Sequence, residues 1–117
     1  MKKTDMSRVL YILIMILVFF ASQAFSQVKV TCCNAGWNKA NDVDWVMSLK
    51  ECESIGYTDV SKDKEVQTKY KIAVVPTIII FKDGEEALRF QADLSFKMVA
   101  TREEVQEAID ELLMSDF

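Results

Sequence analysis

Residues 69–85 read KYKIAVVPTIIIFKDGE, and this stretch decides how the chain folds. Residues 77–81 form a continuous β-branched and aromatic run, which is typical of a strand buried on both faces. Pro76 is the single proline of the chain. Because proline has no N–H to donate to a neighbouring strand, we expect it at the start of this strand. Asp83 and Gly84 favour a tight turn, so the chain should return antiparallel through residues 87–90.

The residues that precede this stretch predict a strand followed by a helix. Residues 28–32 alternate apolar and polar side chains, as in a strand with one buried face, so Cys32 should point inward. Residues 42–55 carry apolar side chains at helical spacing, and Gly56 should end the helix. The apolar stripe of that helix consists of Trp45, Val46, Leu49 and Cys52.

The remaining elements complete an α/β pattern. A short strand at 57–60 and a short helix capped by Ser61 or Asp63 should precede the proline strand. Residues 101–104 form a capping box that opens a terminal amphipathic helix. A parallel crossover followed by an antiparallel hairpin requires a mixed sheet. We therefore predict a sheet of about four strands flanked by helices on both faces.

The N-terminus predicts a targeting segment rather than part of this domain. An apolar run at 9–21 is preceded by basic residues and followed by small residues up to Ser26. The basic residues are Lys2, Lys3 and Arg8. The pattern is typical of a signal peptide at 1–26, which predicts a periplasmic or secreted bacterial domain at 27–117. An uncleaved membrane anchor is the alternative, although 13 apolar residues fall short of the roughly 20 that span a bilayer.

Composition narrows the classes of function. The net charge of −4 makes nucleic acid and anionic membranes poor partners. The chain contains no histidine, which excludes histidine-based catalysis and histidine-ligated metals. No cluster of metal ligands and no cofactor motif stands out, so we expect neither metal nor cofactor. Membrane contact is expected only if the signal segment remains uncleaved. The three cysteines are an odd number, so at least one is free or pairs between molecules.

The stretch around Pro76 resembles the second half of the thioredoxin fold. In that family Lys-Tyr-x-Ile leads to Val/Ile-Pro-Thr, an apolar strand, Phe-Lys-x-Gly-Glu and a return strand. The matching residues here are Lys69, Tyr70, Ile72, Val75, Pro76, Thr77, Phe81, Lys82, Gly84 and Glu85. The resemblance implies a minimal thioredoxin-like fold with a cis Val75–Pro76 bond. It also implies that this loop faces the position of the redox dithiol.

Thioredoxins carry Trp-Cys-x-x-Cys where the first strand meets the first helix, and a helix N-terminus favours the thiolate. Two alignments with this motif disagree. One is anchored on Trp37 and places Asn38 and Asn41 at the cysteine positions. The other is anchored on the spacing to proline and places Cys32 at the nucleophile, followed by Cys33. We prefer the first alignment because it preserves the strand alternation. Both alignments lack the second cysteine, so dithiol exchange should be lost.

These observations favour a redox-inactive module that binds a partner protein or an extended polypeptide by strand addition. The binding surface would consist of Trp37, Val75, Pro76 and Thr77. The alternative is a monothiol-type thiol-disulfide oxidoreductase that uses Cys32 or Cys33. A structural component of an envelope assembly is a third hypothesis.

Each cysteine also has a structural interpretation. Cys32 and Cys52 should be small buried hydrophobes. Cys33 lies on the opposite strand face, so it is the best candidate for an accessible thiol or for a disulfide to Cys52. A strained disulfide between Cys32 and Cys33 is a further alternative.

Overall fold

The computed structural model describes residues 8–15 and 27–115. Residues 8–15 are helical and exposed. Within the described parts of the chain, no helix is long and apolar enough to cross a membrane. Most of the predicted signal peptide at 1–26, including its cleavage site, lies outside the described residues.

A four-stranded mixed sheet organises residues 27–115. In chain order the elements are β1 (Val28–Asn34), two 3-10 helices (Gly36–Asn41 and Asp44–Ser48), β2 (Ser54–Asp59), α1 (Lys64–Lys69), β3 (Thr77–Lys82), β4 (Glu85–Gln91) and α2 (Arg102–Met114). The sheet order is β2-β1-β3-β4. β1 lies parallel to β2 and antiparallel to β3, and β3 lies antiparallel to β4. The predicted mixed sheet and its hairpin are therefore confirmed.

β3 forms the centre of the core because both of its faces are covered. Ile78, Ile79 and Ile80 are completely buried. Ile78 and Ile80 pack on the α2 side with a cluster that contains Val28, Val30, Cys32, Val105 and Ile109. Ile79 packs on the α1 side with a cluster that contains Cys33, Ala35, Val60, Ile72 and Val75. Helices flank both faces as predicted, and each buried isoleucine contributes roughly 1.5–3 kcal/mol.

The predicted caps and turn are also present. The Asp63 carboxylate accepts a hydrogen bond from the Val66 N–H at 3.2 Å and begins α1. The Thr101 hydroxyl accepts from the Glu104 N–H at 3.2 Å and begins α2. Gly84 has φ +87° in the turn between β3 and β4, a backbone conformation that glycine adopts without strain.

The predicted helix at 42–55 is wrong. A 3-10 helix ends at Ser48, and Glu51 has φ +65°, which no helix accommodates. The backbone N–H groups beyond Ser48 find partners outside a helix. Lys50 N donates to Gln106 Oε1 of α2 at 2.8 Å, and Glu53 N donates to the Val28 carbonyl at 2.8 Å.

Two consequences follow for the first half of the chain. Gly56 lies inside β2 instead of ending a helix, and β2 begins at Ser54, earlier than the predicted strand at 57–60. The apolar stripe nevertheless faces the core. Val46 and Leu49 are buried, and Trp45 and Cys52 pack against the same cluster.

Candidate functional site

Three loops meet at one end of the sheet: the loop after β1, the loop before β3 and the loop after β4. The Val75–Pro76 bond is cis, as the resemblance implied. The Pro76 carbonyl accepts from Ala92 N at 3.0 Å, which joins the second loop to the third. The Thr77 hydroxyl donates to the Val74 carbonyl at 2.6 Å. Backbone and side-chain hydrogen bonds therefore fix the conformation of the loop around Pro76.

Asn38 connects all three loops through one side-chain amide. It lies in the first 3-10 helix and is 5% exposed. Its Nδ2 donates to Asn34 Oδ1 at 3.0 Å and to the Phe96 carbonyl at 3.0 Å. Its third acceptor is the Val75 carbonyl at 3.4 Å. An amide nitrogen has two hydrogens, so the longest of these three contacts is the weakest.

Asn38 belongs to a polar network that continues to β2. Asn41 Nδ2 donates to Asn38 Oδ1 at 2.8 Å, and Asn34 Nδ2 donates to the Asn38 carbonyl at 3.2 Å. Asn34 Nδ2 also contacts the Asp42 carboxylate, which accepts from the Tyr57 hydroxyl at 2.7 Å. Partial burial and this hydrogen bond to Asp42 raise the pKa of Tyr57 to about 12. Among the described residues, every buried side-chain nitrogen and oxygen has a partner.

Trp37 lies next to Asn38 but points outward, and its side chain is 65% exposed. Its ring meets the Phe96 ring edge-to-face, with centroids 5.1 Å apart and planes at 88°. Beside these rings is an open groove of about 140 Å³. The groove is lined by Ala35, Trp37, Val60, Lys64, Val75 and Phe96, among others. We call it the Trp37 groove.

The loop after β4 is held in a tight turn that presents Phe96. The Asp93 carboxylate accepts from Ser95 N at 2.9 Å, from Ser95 Oγ at 2.6 Å and from Lys97 N at 3.2 Å. These hydrogen bonds lower the pKa of Asp93. Asp93 N donates back to the Lys97 carbonyl at 3.0 Å. Phe96 was not among the predicted site residues, although the Asp-x-Ser pattern before it is a turn signal.

The cysteines lie away from the Trp37 groove surface. Cys32 and Cys33 are inside β1 and fully buried. The expectation that Cys33 is accessible is therefore wrong, because α1 and its neighbouring loops cover that face of the sheet. The pKa of Cys32 is raised to about 12, mainly by burial and to a smaller extent by the nearby Cys33 and Asp42. Burial also raises the pKa of Cys33, although Arg89 opposes the shift.

The structure forms none of the proposed disulfides, and all three cysteines are free thiols. Cys33 packs on the α1 side of the sheet, whereas the half-buried Cys52 packs on the α2 side. The sheet therefore separates the two sulfurs of the predicted Cys33–Cys52 bridge. In the parts of the chain that the structure describes, no cluster of His, Cys, Asp or Glu side chains could hold a metal ion.

Comparisons with known proteins give a consistent picture of the fold. No family model matches the chain. A thioredoxin mutant from Halobacterium salinarum superposes with a TM-score of 0.61 at 18% identity, covering 74% of this chain and 75% of that one. The chain adopts the thioredoxin-like fold. Fasciola hepatica thioredoxin matches with a TM-score of 0.52 at 22% identity, over 81% of this chain and 89% of that one.

A further thioredoxin resembles part of the sequence. Over 55 residues the chain is 39% identical to thioredoxin Y1, chloroplastic, from Arabidopsis thaliana. The match covers 47% of this chain and 32% of the relative, so the chain spans about a third of that protein. A solved malarial protein also superposes, with a TM-score of 0.54 at 16% identity over 75% of this chain and 98% of that one. At such low sequence identity, the likeness to solved structures establishes only the thioredoxin-like fold.

The thioredoxin-like fold brings the predicted binding residues together, but it buries most of their side chains. Trp37 is exposed, whereas Val75 is 6% exposed and Pro76 and Thr77 are completely buried. Thr77 therefore offers no side-chain surface to a partner, contrary to the prediction. The backbone of this loop is different. Within the described residues, no hydrogen bond engages the N–H of Val74 or Val75.

Proposed function

We propose that this chain is a redox-inactive binding module with the thioredoxin-like fold, exported across a bacterial membrane. It binds an extended segment of a partner protein at the Trp37 groove. One observation carries the proposal: the Asn38 amide lies 3.4 Å from the Val75 carbonyl, in the loop that should face a dithiol. A side-chain amide at this position cannot supply the thiolate that disulfide exchange requires.

The backbone beside Pro76 supports the binding half of the proposal. The N–H groups of Val74 and Val75 have no partner within the described residues, and the loop lies open along the Trp37 groove. An extended segment that pairs with a free backbone edge gains main-chain hydrogen bonds, while a pocket selects its side chains. The Trp37 groove would supply that pocket, and Trp37 and Phe96 would supply its aromatic wall.

A monothiol-type oxidoreductase that uses Cys32 or Cys33 is the second candidate. The 39% identity to a chloroplast thioredoxin over 55 residues favours it. Burial of the thiols argues against this candidate, because a thiol-disulfide oxidoreductase needs an accessible thiolate near neutral pH. Both β1 thiols are completely buried, and the pKa of each is raised.

Peptide binding tests the first candidate. A library of fluorescently labelled extended peptides, screened by anisotropy, should yield ligands whose binding is lost in Trp37→Ala. Met47→Ala is the matched control, since Met47 is 64% exposed and lies outside the Trp37 groove. The proposal fails if no peptide binds, or if the two variants bind every peptide equally well.

Thiol chemistry tests the second candidate. The protein should not reduce the disulfides of insulin, and Cys32→Ala with Cys33→Ala should leave peptide binding unchanged. Insulin reduction by the wild-type chain that disappears in this double variant would establish the oxidoreductase instead. Circular dichroism of the double variant confirms that the comparison is made between folded proteins.

A further inference from the structure

The Trp37 groove combines an apolar wall with one basic side chain, although the chain as a whole carries a net charge of −4. Lys64, at the start of α1, lines the groove. Lys39 follows Trp37 by two positions, and Lys97 follows Phe96 directly. All three side chains are exposed. In the described part of the chain, Lys39 and Lys64 form no ion pair, whereas the charge of Lys97 helps to lower the pKa of Asp93.

Four aspartates on the segments that carry the groove accept hydrogen bonds from the protein itself. Asp59 accepts from Gly36 N at 3.2 Å and from Ser61 N at 2.9 Å. Asp63 caps α1, Asp93 holds the turn that carries Phe96, and Asp42 accepts from Tyr57. These carboxylates keep their negative charge but already accept hydrogen bonds from the protein, whereas the Lys64 ammonium group lines the groove and forms no ion pair in the described part of the chain.

The size of the groove limits what its apolar part can hold. A cavity of about 150 Å³ accommodates one benzene molecule, and the Trp37 groove measures about 140 Å³. It therefore fits a single phenylalanine-sized or leucine-sized side chain against Trp37 and Phe96. In an extended segment, side chains two positions apart lie on the same face. A residue close to the anchoring one in sequence can thus reach Lys64.

We propose that the partner segment is acidic: one large apolar side chain enters the Trp37 groove, and a neighbouring Asp or Glu pairs with Lys64. This inference rests on the proposed function and narrows the class of partner. The apolar side chain supplies most of the affinity by leaving water. The carboxylate supplies selectivity, because charge complementarity at the rim of an interface discriminates between partners more than it adds affinity.

Three matched peptides test the charge preference. Each is an extended segment with one Phe, flanked by Glu in the first peptide, by Gln in the second and by Lys in the third. Wild-type protein should bind the Glu peptide most tightly, with a preference over the Lys peptide of roughly fivefold, equivalent to about 1 kcal/mol. The preference should shrink at high salt, because exposed charges are screened.

Reversing the charge of a single lysine tests whether Lys64 causes the preference for the Glu peptide. Lys64→Glu should abolish or invert the preference for the Glu peptide. Lys69→Glu is the matched control, because it changes the net charge equally on the same helix but lies outside the groove. The inference is overturned if the Glu and Lys peptides bind wild-type protein equally, or if the two variants lose the preference to the same extent.

The two proposals fail in distinguishable ways. If the three peptides bind equally and Trp37→Ala abolishes that binding, the binding module stands and the acidic partner is wrong. If none of the three binds and the wider peptide library also yields no ligand, the proposed function fails and the acidic partner fails with it.

Discussion

The loop before β3 and the loop after β1 meet at the same end of the sheet, yet they differ in how many residues resemble those of thioredoxins. The loop before β3 retains the residues by which the sequence resembles thioredoxins, including the cis Val75–Pro76 bond. The loop after β1 retains Trp37 but carries Asn38 and Asn41 beside it. The loop before β3 carries the residues from which the fold was predicted. The loop after β1 carries the two asparagines that the preferred alignment places at the cysteine positions of thioredoxins.

The two loops are also held by different interactions. A backbone hydrogen bond from Ala92, in the loop after β4, and the buried strand β3 fix the loop around Pro76. Side chains fix the loop around Trp37, and Asn38 makes the central contacts. Substitutions at Asn38 should therefore disturb the loop after β1 most, whereas the loop before β3 loses only the contact at the Val75 carbonyl.

The largest expected loss of stability comes from Asn38→Asp. A carboxylate at this site would face the carbonyls of Val75 and Phe96 with no hydrogen to donate to either. A buried negative charge that faces two carbonyl oxygens, with the Asn41 amide as its donor, should lower the free energy of unfolding by about 3 kcal/mol at neutral pH. Urea unfolding measures this loss. Asn41→Asp is the control, since Asn41 is only partly buried and should cost much less. Equal losses would contradict the central role of Asn38.

Restoring two thiols should change activity rather than fold. Asn38→Cys combined with Asn41→Cys recreates Trp-Cys-x-x-Cys beside the cis-proline loop. We expect insulin reduction to rise from background to a measurable rate, at a stability cost of about 1–2 kcal/mol from the lost hydrogen bonds. Asn41→Cys alone is the control and should remain inactive. A double variant that folds but reduces no insulin would mean that Asn38 and Asn41 do not occupy the positions of the two thioredoxin cysteines.

Alkaline pH should destabilise the chain through its buried thiols. The pKa of Cys32 rises on folding from 9.0 to about 12, so the folded state favours the protonated thiol. This stabilisation is complete below pH 9.0 and is lost as the pH rises toward 12. The loss should approach roughly 1 kcal/mol for each pH unit in that window.

Urea midpoints measured at several alkaline pH values test this dependence. Cys32→Ala should flatten it. Tyr57→Phe separates the contribution of the tyrosine, whose pKa is also raised to about 12. A profile that is identical in wild type and Cys32→Ala would argue against a buried protonated thiol.

The smallest effect on stability is expected from Trp37→Ala. The side chain is 65% exposed, and its edge-to-face contact with Phe96 is its main packing interaction. The free energy of unfolding should fall by about 1 kcal/mol or less. Trp45→Ala should cost more, because Trp45 packs against the core. Melting temperatures compare the two. A larger shift for Trp37→Ala would mean that the ring is structural.

The elements that sequence predicted well are those whose signals are local. Thr77 to Phe81 form an apolar run that is long enough to require burial on both faces, and Gly84 and Thr101 mark a turn and a cap. β3, β4 and α2 follow from those signals. The prediction of a helix at 42–55 was wrong. Its apolar spacing correctly identified the side chains that face the core, but it did not determine the backbone conformation. Partners from β1 and α2 took the N–H groups that a helix would have used.

The site was less predictable because its contacts join distant residues. Asn38 and Phe96 are 58 positions apart, and no local pattern connects an asparagine to a carbonyl in another loop. Alternation in β1 placed Cys33 correctly on the face opposite Cys32. It did not show that Val60, Ile72 and Val75, which come from later segments, cover that face. Exposure of a strand residue depends on what packs over it.

The short 3-10 helices between β1 and β2 have a consequence for how the molecule opens. A longer helix would protect its amides by a ladder of backbone bonds, whereas this crossover has few such bonds and several exposed residues. Its amide hydrogens should therefore exchange with solvent far faster than those of β3, through local opening that leaves the sheet intact. The wall of the Trp37 groove could then adjust to a ligand on its own, and bound peptide would slow exchange there first.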